Sequence, residues 1–111
     1  MPEHRYQLVL STCPDRETAE RIAAVLVEQR LAACVNIVPG LTSVYRWQGK
    51  TEKDPELLLL IKTEADRFEA LARTLRDHHP YELPEVVAVT LSNGSADYLN
   101  WITTTLNDEA P

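Results

Sequence analysis

Two adjacent histidines, His78 and His79, are the residues of this 111-residue chain best suited by type and spacing to hold a metal ion. Imidazole nitrogen suits copper, nickel and zinc, and because copper(II) heads the divalent affinity series almost any exposed histidine pair binds it to some extent. Adjacent residues on a helix point about 100° apart, so the two rings converge on one ion only if the helix ends between them. Pro80 provides for that, because the residue before a proline is pushed out of the α region. The plainer reading is that the pair caps a helix C-terminus, where an imidazolium complements the dipole.

A second group is made of Tyr45, Arg46, Trp47 and Lys62 on a hairpin, with Tyr81 and Glu82 on a linker and Glu56 nearby. Tyr, Trp and Arg are favoured anchors of protein interfaces, so these residues read first as a subunit interface. The sharper alternative is a cleft between subunits, in which Arg46 and Lys62 would favour a small anion. Cys13 and Cys34 form no C-x-x-C pair, and Cys34 reads as a small buried hydrophobe. Walker, G-x-G-x-x-G and H-E-x-x-H patterns are missing, and three glycines leave little for a phosphate-cradling loop. The expectation is a binding protein rather than an enzyme.

Bulk properties narrow the partners. Net charge is −6 with no basic cluster, which argues against nucleic acid and against an anionic membrane surface. The longest apolar run, Leu57 to Ile61, is far short of the ~20 residues of a membrane span. The N-terminus lacks the apolar core of a signal peptide, so a cytoplasmic protein with reduced thiols is expected.

The elements that must position these residues follow from periodicity. Arg5 to Cys13 reads as a strand, apolar on both faces and therefore central. Asp15 is placed to cap a helix from Arg16 to about Arg30, whose stripe is Ala19, Ile22, Ala23 and Leu26, widened by Val25 and Val27. A β-prone run from Ala33 to Gln48 is interrupted at Pro39-Gly40, where a bulge or bend is required. Gly49-Lys50 makes a turn into a return strand, Glu56 to Thr63, that is apolar on both faces from Leu57 to Ile61. Thr63 reads as the N-cap of a second helix with the stripe Phe68, Leu71, Ala72 and Leu75. Glu85 to Leu91 reads as a fourth strand. Ser95 is expected to cap a third helix bearing Tyr98, Trp101, Ile102 and Leu106.

The order β-α-β-β-α-β-α predicts an α+β, ferredoxin-like split βαβ domain over residues 1–111, with strands one and three in the middle of an antiparallel sheet. Sixteen strand residues reach about 50 Å, more than a domain about 35 Å across can hold straight. The strand must bend, or its tip must meet another chain. The sheet's second face has only a short last helix to cover it. Both misfits predict sheet packing between subunits.

Four segments carry a resemblance: LAACVNIVPGLTSVYRWQGK (Leu31 to Lys50), IKT (Ile61 to Thr63), HPYELPE (His79 to Glu85) and DYLNW (Asp97 to Trp101). Together they resemble the CutA divalent-cation-tolerance family over nearly the whole chain. The resemblance implies a ferredoxin-like subunit, a homotrimer with hairpins extended onto neighbours, and a role in tolerance of divalent cations, copper above all. It also implies a metal site made of a thiol near the end of the first strand and the histidine pair, here His78 and His79. The matching thiol position is Ser11, and Cys13, two residues on and facing the same side of the strand, is the residue that would replace it. A trimeric regulator resembling the PII signalling proteins, with a small ligand between subunits, is the alternative by fold analogy. A purely structural assembly module is the third reading.

Overall fold

Period-two alternation in YQLVLSTC gives the strand β1 (Tyr6–Cys13), seen in a computed structural model that describes residues 5–107. Asp15 stands in extended conformation and its Oδ1 accepts from Thr18 N at 2.8 Å, starting α1 (Arg16–Glu28). Thr18, Ala19, Ile22 and Leu26 are its buried residues. Val27 does not widen that stripe: it is exposed.

The long hairpin is formed by β2 (Cys34–Trp47) and β3 (Lys50–Glu64). The register slips between Val38 and Leu41, where Pro39 cannot donate and Gly40 takes φ +87°. Trp47 pairs with Lys50, so the turn residues are Gln48 (φ 51°) and Gly49 (φ 80°), not Gly49-Lys50. Positive φ at both matches the twist of tightly paired strands. The hairpin accounts for an elongated shape, 45 × 30 × 24 Å.

Thr63 does not cap the second helix. It remains in β3, fully buried, and its hydroxyl donates to Leu31 O at 2.6 Å. A single 3-10 turn at Ala65–Arg67 leads instead into α2 (Phe68–His78), which buries Leu71, Ala72 and Leu75. The helix stops where sequence places Pro80, with His79 already extended at φ −97°, ψ 139°. The fourth strand is shorter than its apolar run, with β4 confined to Val87–Thr90. Ser95 Oγ accepts from Tyr98 N at 3.2 Å and starts α3 (Ala96–Asn107).

Strand order is β2-β3-β1-β4, all antiparallel, with the two most apolar strands in the centre. One face carries Val9, Cys13, Leu59 and Ile61 against Ile22 and Leu26 of α1 and Leu71 and Leu75 of α2. At one end of the other face, α3 packs Ile102 and Leu106 on Tyr6 and Ala33. Arg30 and Arg67 hold its C-terminus by donating to the carbonyls of Thr105 and Leu106. Beyond α3 no described residue covers that face. Pairing places Leu8, Leu10, Leu58, Leu60 and Val38 there, half-buried, with the exposed Val87 and Val89 beside them.

Candidate functional site

Strand alternation turns the side chains of Ser11 and Cys13 to the helix-covered face, and both are fully buried. Ser11 Oγ has no hydrogen-bond partner. Burial pushes the Cys13 thiol up to about 11, with the charges of Asp15 and Glu56 adding and Arg21 opposing. The thiol stays protonated at neutral pH, so a metal would have to displace that proton to bind the sulfur.

The two histidines do different things. His79 is buried, and Tyr81 N donates to its Nδ1 at 3.1 Å, so Nδ1 carries the lone pair. The proton is then on Nε2, which donates to Thr12 O at 2.8 Å. Both ring nitrogens are engaged in tying the linker to β1. His78 lies on the last turn of α2. Its Nδ1 is 2.9 Å from Thr74 O, an acceptor, so Nδ1 holds a proton, and in the neutral form of the ring Nε2 presents the lone pair. Such a carbonyl-oriented imidazole is the usual second-shell arrangement behind a metal-binding nitrogen.

Cys13, His78 and His79 therefore do not assemble into one site. Among the described residues, no group of three or more His, Cys, Asp or Glu is placed to hold an ion. The physical reason is direction. Cys13 points into the core, His79 spends both nitrogens on backbone, and His78 alone keeps a free one.

The second group is brought together. A cleft of about 790 Å³ lies between the outer hairpin and the linker after α2, lined by residues 43–47, Thr12, Glu56, residues 80–83 and Glu85. Tyr45, Arg46, Trp47, Tyr81 and Glu82 all line it. Lys62 does not: it sits on the open sheet face, where Nζ donates to Asn36 Oδ1 and approaches Cys34 Sγ at 3.9 Å.

Tyr81 donates its hydroxyl to Oε2 of the buried Glu56 at 2.6 Å, and burial followed by that carboxylate raises the phenol's pKa. Tyr45 donates to Asp54 Oδ2 at 2.5 Å, and this bond pushes its hydroxyl up to about 12. Both phenols stay neutral around physiological pH. Arg46 donates to Gly49 O at 3.2 Å, at the hairpin tip. Glu85, Ser43 and Thr12 are cleft residues that reading the sequence missed. Glu85 had a usable signal, since it follows Glu82 by three and stands directly after Pro84, which closes the linker.

The split βαβ sheet, with an outsized hairpin and a cleft at its side, defines the class. Comparison with known proteins then gives the family. The sequence model described as "CutA1 divalent ion tolerance protein" matches residues 7–105. The divalent-cation tolerance protein CutA of Thermus thermophilus is 53% identical over 96 residues, covering 86% of this chain and 93% of its own. The crystal structure of CutA from Xylella fastidiosa superimposes with a TM-score of 0.90 at 50% identity, covering 93% of this chain and 99% of that one. A structure from Archaeoglobus fulgidus, described as a periplasmic divalent cation tolerance protein, is 36% identical with a TM-score of 0.89, covering 91% and 98%. The chain spans about half, 51%, of the length of the mouse and human CutA proteins it matches. This chain belongs to the CutA divalent-cation-tolerance family.

Proposed function

We propose that the chain is the non-catalytic subunit of a homotrimer acting in divalent-cation tolerance, with copper the first ion it meets. One observation carries the assembly: the open sheet face. Leu8, Leu10, Leu58, Leu60 and Val38, with Val87 and Val89, form an apolar surface that no described residue covers beyond α3. Covering each half-buried leucine is worth roughly 1 kcal/mol, so packing this face on other copies is strongly favoured. The projecting hairpin is long enough to reach a neighbour. Sedimentation equilibrium at micromolar concentration tests this, with three times the 12.6 kDa chain mass expected.

Copper contact falls to His78, whose Nε2 is the free nitrogen of the histidine pair. Cys13, buried in the core, and His79, bonded to backbone through both ring nitrogens, are left out of that contact. The unpaired thiols Cys13 and Cys34 fit a reducing compartment, which supports a cytoplasmic location that cell fractionation can check.

A second reading, a trimeric regulator that takes a small ligand, is favoured by one specific observation, the cleft between hairpin and linker.

A further inference from the structure

We infer that the cleft between the hairpin and the linker binds a small organic cation, a molecule carrying one or more ammonium groups. This rests on the reading of the cleft as a ligand site and specifies its chemistry. Its volume, about 790 Å³, lies within the range of small-molecule sites.

Charge decides between anion and cation. Glu56, Glu82 and Glu85 line the cleft against one cation, Arg46, and Arg46 is drawn to the carbonyl of Gly49 at the tip. None of the three carboxylates forms an ion pair with a described residue. Lys62, the other cation an anion site would need, is on the open sheet face.

Chemistry decides between a metal and an organic cation. A bare divalent ion needs several oxygens together at about 2.0–2.6 Å. The described residues hold no such convergent group. Carboxylates that are spread through a cleft suit a longer molecule with several N–H donors. Tyr45, Trp47 and Tyr81 supply the aromatic walls, and ammonium groups are attracted to such rings. Tyr45 and Tyr81 are held in place through their hydroxyls, by Asp54 and Glu56.

Titration calorimetry of the purified, assembled protein tests the inference with 1,4-diaminobutane and tetramethylammonium chloride, against magnesium chloride and inorganic phosphate. Saturable binding of an ammonium probe is expected, uncompeted by magnesium or phosphate. The double variant E82Q/E85Q and the variant W47A change side chains exposed in the subunit, and each, checked to sediment as the native protein does, should weaken binding by about fivefold or more. R46A removes the cation that lines the cleft and should tighten binding. Binding of phosphate in place of ammonium would overturn the cation chemistry and leave a ligand cleft. Failure of every probe to bind would overturn both the inference and the ligand reading. Ammonium binding unchanged in both the E82Q/E85Q and W47A variants would put it elsewhere and overturn the inference.

Discussion

Tyr81 and Glu56 are joined by a 2.6 Å hydrogen bond that spans 25 residues of sequence and fastens the linker after α2 to β3. Glu56 is 8% exposed, and the phenol is its hydrogen-bond donor from the linker. A hydrogen bond to a buried carboxylate is among the stronger kinds. The variant Y81F keeps the ring and removes the donor. It should lower unfolding stability by about 1–2 kcal/mol, read as a lower urea midpoint at unchanged slope. An unchanged midpoint would mean that Glu56 is satisfied without Tyr81.

Cys13 gives stability a specific alkaline limit. Its thiol titrates near 9.0 in the unfolded chain and is pushed up to about 11 in the fold by burial. Below pH 9 both states hold the proton and the contribution is fully present. Between about 9 and 11 the unfolded chain releases the proton while the folded one keeps it, so stability falls as pH rises. The fall attributable to this group is about 2–3 kcal/mol. Urea unfolding at pH 7, 9 and 10.5 should show that decline in the native protein and a distinctly flatter one in C13A. Parallel profiles would remove the thiol from the account.

Gly40 marks the bend of the hairpin. A Cβ there would meet nothing within 4 Å, but φ of +87° is costly for any L side chain. G40A should therefore destabilise by about 1–2 kcal/mol through backbone strain alone, without loss of packing. Equal melting of G40A and native protein would show that the bulge can relax.

Copper affinity should depend unequally on the two histidines. Removing the Nε2 lone pair in H78A should lower affinity about tenfold or more, a difference of about 1.4 kcal/mol. H79A should act mainly on stability, since both ring nitrogens of His79 hold backbone groups. C13A should leave copper affinity unchanged. Titration calorimetry of the three variants checks this, and a loss confined to H79A or C13A would contradict the assignment.

The fold was largely legible because its strongest signals are local. Apolar groups on both sides of β1 and β3 put them in the sheet centre, and Pro39-Gly40 announced the bulge. Errors arose where tertiary structure claimed a group that looked locally free. Thr63 seemed a helix cap, but the carbonyl of Leu31 takes its hydroxyl. The apolar run around β4 is longer than the strand, because only Val87–Thr90 finds a partner on β1. For the site, residue types were legible and directions were not. Nothing in the string His78-His79 reveals that one ring is spent on Thr12 and Tyr81 while the other keeps a free nitrogen. Likewise, Arg46 and Lys62 suggested an anion site, but the fold sets Lys62 on the open sheet face and adds Glu85 to Glu56 and Glu82 around the cleft.

The central claim is that the open sheet face joins copies of this chain, and Leu60 sits in the middle of that face, paired with Leu10 and Asn36. Replacing it by lysine would place a charge in the dry interface at a cost of several kcal/mol, while an isolated subunit could keep the ammonium in water. Sedimentation equilibrium of native protein and L60K at micromolar concentration is the most direct measurement. The account predicts a trimer for the native chain and a folded, smaller species for L60K. A native monomer, or a trimer that L60K leaves intact, would contradict it.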